Sequence, residues 1–305
     1  MGKSTLNQTL FGVEFNNPVL AASGTFGFGD EFTDFYDVDE LGGFVTKSVT
    51  PDLRKGNDPP RIIETPSGML NAIGLQNNGL EYFVKHILPN YQSLNTAVIV
   101  NVAGRTVGDY KTVCAELDKH DAISALEINI SCPNVKEGGM AFGASADSAA
   151  GITKILRTMT DKPLILKLSP NVTDIVEIAR AVEDAGADAV SLINTLTGMV
   201  IDVESRRPML ANVTGGLSGP AVRPVAVRMV YQVAGAVSIP VIGLGGIFCA
   251  RDALEFIIAG ASLVQIGCGM FVKPNLPLEV IQGIGEYLES HNFSSVSELV
   301  GSIET

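Results

Sequence analysis

Eight short apolar runs recur along the chain, at 19–22, 44–47, 97–102, 126–130, 164–168, 189–193, 241–244 and 263–266. Each is nearly all apolar instead of alternating, the pattern of a strand buried on both faces of a parallel sheet covered by helices. Helical periodicity fills most of the intervals. It is clearest over 172–185, where Ile175, Val176, Ile178, Ala179 and Val182 share one stripe, Thr173 reads as the N-cap and Gly186 as the stop. Further helices read at 78–91, 107–120, 149–159, 220–237, 251–259 and 278–290. Eight β-then-α units in 305 residues predict one (β/α)₈ TIM barrel over 1–305, with an open doubly wound sheet as the alternative.

The polar residues separate the two. Ser23, Lys47, Asn101, Asn129, Lys167, Asn194, Gly245 with Gly246, and Gly267 fall at or just past the C-terminal ends of successive runs. A barrel gathers these positions on one rim, where barrel active sites are built, and an open sheet spreads them along a line. Segments 50–77, 133–147 and 195–219 are too long for simple turns and all follow strand C-termini. They predict a lid or a small extra sheet over the same rim.

Candidate chemistry concentrates in EINISCPNVKEGGMAFG, residues 127–143, where a buried strand runs into a cysteine and then a glycine-rich loop. Pro133 blocks helical continuation at Cys132, and Gly138, Gly139 and Gly143 leave the segment free to open and close. Cys132 reads either as a small buried hydrophobe or as a functional thiol; its strand-to-loop setting between Ser131 and Pro133 is poor for core packing, and spacing alone leaves the two readings level. Lys167, in PLILKLSP, sits in an otherwise apolar run, where an unpaired ammonium would cost several kcal/mol. A buried salt bridge would explain it; the lack of an acidic residue at the rim end of a neighbouring run favours function. Lys47 in GFVTKSVT repeats the situation, and two rim lysines imply an anionic ligand or developing negative charge.

Gly243–Gly246 and Gly267 with Gly269 resemble the backbone-donor loops with which barrels bind phosphate, and Gly215, Gly216 and Gly219 before a helix offer a further anion-binding turn. Plain connection chemistry is the alternative for each. No dinucleotide fingerprint is completed. Asn71, Asn77, Asn101, Asn129 and Asn194 supply amides that both donate and accept, which suits a planar ring of alternating N–H and C=O groups such as a pyrimidine or a flavin.

A net charge of -12 argues against nucleic acid and anionic membrane as partners. Cys114, Cys132, Cys249 and Cys268 form no CxxC pair, and His86, His120 and His291 are scattered, so no metal or iron–sulfur site is expected. The first residues lack an apolar signal core, and Leu6 breaks a myristoylation pattern, so a cytoplasmic setting is expected. The uncharged stretch 229–250 is interrupted by Gly235, Pro240, Gly243, Gly245 and Gly246, and reads as helix end, buried strand and turn.

The motifs NAIGLQNNG from Asn71, EINISCPNVKEGG from Glu127, KLSPNVTDI from Lys167, LINTLTGM from Leu192, NVTGGLSGPAVRPVA from Asn212 and VIGLGGI from Val241 resemble the catalytic subunit of class 1B dihydroorotate dehydrogenases. The resemblance spans nearly the whole chain. It implies an FMN-containing barrel that oxidises dihydroorotate to orotate in pyrimidine synthesis, with Cys132 removing the C5 proton while the C6 hydride passes to the flavin, and the loop after Cys132 excluding water. It implies Lys167 beside the flavin pyrimidine edge. Lys47, Asn71, Asn129, Asn194 and Thr195, with the backbone Ala72, Ile73, Gly74 and Leu75, would hold the substrate. Ser23, Lys47, Ser48, Asn101, Asn129, Lys167, Ile193, Gly219, Gly245, Gly246, Gly267 and Cys268 would hold the flavin; Cys268 departs from the hydroxyl residue the family usually carries beside the phosphate. The resemblance further implies a separate electron-transfer subunit with FAD and a [2Fe–2S] cluster that reduces NAD, and a homodimer within a heterotetramer. A class 1A-like fumarate-linked enzyme or a related pyrimidine-reducing flavoenzyme is the near alternative. A lysine Schiff-base aldolase and a non-catalytic metabolite-binding barrel are the distant ones.

Overall fold

The computed structural model describes residues 5–131 and 142–304. Cys132, Pro133, Asn134, Gly138 and Gly139 lie outside them, as does most of the expected lid segment.

The eight apolar runs form eight parallel strands: β1 (Val19–Ala21), β2 (Gly43–Val45), β3 (Ala97–Val102), β4 (Ala125–Asn129), β5 (Leu164–Lys167), β6 (Ala189–Leu192), β7 (Val241–Leu244) and β8 (Leu263–Ile266). Each pairs with the next in sequence, and β8 closes on β1 through Val264 opposite Val19 and Ile266 opposite Ala21. The sheet is therefore a closed barrel and the open-sheet alternative falls. Strand residues alternate between two interiors. Leu126, Ile128, Leu164, Leu166 and Val190 face the surrounding helices, while Ile99, Ala125, Ile165, Ala189 and Leu263 fill the barrel.

A hairpin not anticipated from the sequence covers the N-terminal end of that filling. Gln8–Leu10 pairs with Val13–Phe15 across Phe11 and Gly12, both at positive φ (41° and 80°), the geometry of a type I′ turn. Phe15, 1% exposed, packs into the barrel-interior cluster, with Leu10, Phe11 and Val13 against it.

The helix expected over 172–185 runs Ile175–Asp184, and its cap is Asp174, not Thr173. The Asp174 carboxylate accepts from the N–H groups of Val176 and Glu177 at 2.8 and 3.3 Å, and its charge suits a helix N-terminus. Gly186, at φ 98°, supplies the left-handed residue after the last turn. The segment 78–91 is broken into an α-turn Leu80–Tyr82, a π-turn Phe83–Ile87 and a 3₁₀ helix Leu88–Ser93. Pro89 has no N–H for the Lys85 carbonyl, so a regular α-ladder cannot continue through it.

The long connections build the expected small sheet. Ile62–Thr65 and Gly68–Asn71 from the first, with Leu196–Gly198 and Gly215–Ser218 from the third, make a four-stranded antiparallel sheet packed on Leu70, Ala72 and Leu210. Gly215 and Gly216 are thus strand residues, not an anion-binding turn. A Cβ on Gly216 would lie 2.0 Å from Thr195 Oγ1, and one on Gly215 would lie 2.8 Å from the Asn71 carbonyl, so close approach demands glycine at both. Among the described residues no helix is long and apolar enough to cross a membrane.

Candidate active site

The C-terminal rim and the small sheet enclose a cavity of about 540 Å³. Ser23, Lys47, Ser48, Asn71, Ala72, Ile73, Gly74, Leu75, Asn101, Asn129, Lys167, Ile193, Asn194, Thr195, Gly245, Gly246, Gly267 and Cys268 all line it. Gly219 stands behind the wall, packed against Gly68 and beneath Gly246, with Ser218 in the wall instead. Asn77 is not in the wall. Its amide is used up within its own loop, accepting from Gly79 N–H and donating to the Leu75 carbonyl and Thr50 Oγ1.

The pleat explains the convergence. One step above the apolar filling, the same inward face carries Asn101, Glu127, Lys167, Ser191 and Gln265, all at most 5% exposed. Glu127 was not singled out from the sequence, and it changes the account of Lys167. The Lys167 ammonium donates to Glu127 Oε1 at 3.2 Å, so it is paired, contrary to the expectation of no acidic partner. The partner was missed because it sits inside a neighbouring run, not at its end. Asn101 Nδ2 donates to the same oxygen at 2.8 Å, and Ser191 Oγ and Gln265 Nε2 donate to Oε2 at 2.9 and 2.8 Å. Burial pushes the Glu127 carboxyl up, but the Lys167 charge and the bonds from Gln265, Asn101 and Ser191 outweigh it and hold it below the usual carboxylate range. The carboxylate is therefore held in its charged form although fully buried.

Lys47 differs. Its backbone N–H donates to the Gly27 carbonyl at 2.7 Å, its side chain lines the cavity, and among the described residues no carboxylate lies within 4 Å of its ammonium. The amides are set by their neighbours: Asn129 Oδ1 accepts from Ser131 N–H at 3.2 Å and Asn194 Nδ2 at 3.3 Å, Asn194 Oδ1 accepts from Thr195 N–H at 2.8 Å, and Asn71 Nδ2 donates to the Gly216 carbonyl at 3.3 Å. Ser48 Oγ donates to Asn101 Oδ1. Burial raises the Cys268 thiol pKa, and a bond with Ser218 offsets part of that.

The model of the dihydroorotate dehydrogenase family matches residues 5–288. The chain belongs to the dihydroorotate dehydrogenase family. It is 56% identical over 292 residues, covering 96% of each chain, to the protein of Bacteroides thetaiotaomicron named dihydroorotate dehydrogenase B (NAD(+)), catalytic subunit. Proteins with that name from Geotalea uraniireducens and Pelobacter propionicus are 52% and 54% identical, covering 100% and 99% of each chain.

A dihydroorotate dehydrogenase implies a flavin, and the cavity fits one. Its volume is that of a cofactor or drug-sized site. Gln265 Oε1 is buried at the wall with no hydrogen-bond partner among the described residues, an acceptor awaiting an N–H. A Cβ on Gly24 would meet nothing within 4 Å and one on Gly267 nothing nearer than 3.7 Å, so both glycines border open space. Sequence reasoning also missed Thr25, Met69, Leu217, Val222 and Phe271 in the wall; an apolar or hydroxyl residue carries no signal of its own, whether in a loop (Thr25), in the small sheet (Met69, Leu217) or in a short helix (Val222, Phe271).

Proposed function

We propose that this chain is the FMN-binding catalytic subunit of a class 1B dihydroorotate dehydrogenase, oxidising dihydroorotate to orotate in pyrimidine synthesis and passing the electrons through a partner subunit to NAD. The observation that carries the reading is one cavity that joins Lys47, without a carboxylate partner among the described residues, a ring of fixed amides and the Lys167 ammonium of the buried polar layer, in a chain of this family.

The Lys47 ammonium suits the substrate carboxylate, since no carboxylate among the described residues takes its charge. Asn71, Asn129, Asn194 and Thr195, with the backbone from Ala72 to Leu75, are the groups we assign to the pyrimidine ring: their bonds to protein fix which way each amide points and so which edge it reads. A flavin bound there supplies the acceptor for the hydride that leaves C6. We assign Ser23, Ser48, Asn101, Ile193, Gly219, Gly245, Gly246, Gly267 and Cys268 to its binding, Gly219 acting through the packing of Gly246 and Cys268 through its backbone. Cys132 takes the C5 proton as its thiolate, leaving the substrate one double bond richer once the hydride has gone. Lys167 holds a fixed positive charge at the cavity wall where negative charge builds up.

For the electron path, the chain has neither clustered cysteines nor a dinucleotide fingerprint. FAD and a [2Fe–2S] cluster are therefore assigned to the partner, in a cytoplasmic heterotetramer built on a homodimer. The test is the isolated chain: it should oxidise dihydroorotate with an artificial dye and fail with NAD until the partner is added. Efficient NAD reduction by this polypeptide alone, or a strong preference for fumarate, would overturn the class 1B assignment.

A further inference from the structure

Glu127 is 0% exposed and does not line the cavity, yet it grips three residues that do, Asn101, Lys167 and Gln265, and a fourth, Ser191, behind them. The four donors come from β3, β5, β6 and β8, so one carboxylate ties together strands from around the barrel. Hydrophobic residues of similar volume would fill the same space at no electrostatic cost, so stability alone gives no reason to keep a charged pair there. What the carboxylate changes is the field above it. A Lys167 ammonium with its counter-charge at 3.2 Å presents a dipole to the cavity instead of a bare cation.

We infer that Glu127 is a positioning residue of the redox site: it fixes the Lys167 ammonium and the Gln265 amide at the cavity wall and, as counter-charge, limits how strongly Lys167 favours the reduced cofactor. This rests on the reading that the cavity holds a flavin. It makes the redox preference a difference between two opposed charges.

Glu127→Gln tests it with little change of shape. The remaining Oε1 can still accept from Asn101 and Lys167, and Ser191 and Gln265 each own an oxygen that can turn toward the new amide, the Gln265 one having no partner among the described residues. Potentials of bound FMN would be measured against a reference dye in the wild type, E127Q, K167M and the double variant. E127Q is expected to shift the reduction equilibrium at least tenfold toward reduced FMN, about 30 mV for a two-electron couple. K167M should shift it at least tenfold the other way, with the double variant between them. An E127Q equilibrium that is unshifted, or that moves in the K167M direction, overturns the inference, because a purely structural role has no reason to give opposite signs.

Should E127Q not fold with its uncompensated lysine, K167M and the double variant still decide. In K167M the ionising Glu127 carboxyl should press the equilibrium away from reduced FMN as pH rises, relative to the double variant; parallel pH profiles would refute the role. Wild-type protein that binds no FMN refutes the flavin reading itself, whereas wild type that binds FMN beside an unshifted E127Q refutes only the role of Glu127.

Discussion

The floor of the barrel and the layer above it are made by the same strands, two residues apart, and have opposite chemistry. Ile99, Ala125, Ile165, Ala189 and Leu263 fill the floor, and Asn101, Glu127, Lys167, Ser191 and Gln265 follow them one pleat higher. Both levels are buried. The floor gains from burial at every atom, about 25 cal/mol per Å² of apolar surface. The layer loses solvation for two charges and recovers it only through the hydrogen bonds that converge on Glu127. The floor therefore loses stability in step with the apolar atoms removed, whereas the layer loses it with any single partner. A fold can carry such a layer when the apolar level beneath it is complete, and here the N-terminal hairpin completes it with Phe15.

Breaking the comparison at its functional end should give the largest effect. Cys132→Ala is expected to keep FMN and slow flavin reduction about 10²–10⁴-fold, the usual worth of a positioned base, read by stopped-flow bleaching. Near wild-type speed would remove Cys132 from the chemistry. Next, Lys167→Ala leaves the Glu127 charge buried without its partner, costing about 3–5 kcal/mol at neutral pH, and weakens FMN binding. In the wild type the depressed Glu127 pKa stabilises the fold above the unfolded-state value and that stability is lost as pH falls. In the variant the carboxyl, buried without a counter-charge, rises instead and destabilises as pH rises. Denaturation across pH should therefore show the two curves converging in acid; a constant gap would contradict the pairing.

Phe15→Ala breaks the floor and not the layer. It should cost about 3–5 kcal/mol of stability and leave the bound flavin spectrum unchanged. Ile165→Val sharpens the contrast at the smallest scale, with about 0.5–1.5 kcal/mol lost in chemical denaturation and no change in turnover. Altered turnover on losing that one methylene would mean the floor and the layer are not separable.

The same two levels account for what the sequence disclosed. Runs such as Leu164–Lys167 and Val241–Leu244 stood out because both faces are apolar, and the rim followed from polar residues at their ends. Glu127 and Gln265 were passed over because a polar residue inside an apolar run declares neither its facing nor its partner until strand register is known; Asn129 opposite Lys167 is what places Glu127 within reach. Thr173 is a capping residue type at the expected boundary, but the cap falls one residue later, where the extended backbone of Asp174 brings its carboxylate to the first free N–H groups. The hairpin turn at Phe11 and Gly12 lacked the usual Asn-Gly or Asp-Gly signal. Glycines 215 and 216 looked like turn formers and proved to be strand residues under Thr195 and Asn71, since sequence does not tell freedom of φ from need for space.

The central claim is that the polar layer and the rim together hold a flavin that dihydroorotate reduces. The most direct measurement is the visible absorbance of the purified chain, mixed with dihydroorotate without oxygen. The account predicts a yellow protein whose flavin band bleaches on mixing. A protein that binds FMN yet keeps its colour with dihydroorotate, or that takes up no flavin at all, would contradict it.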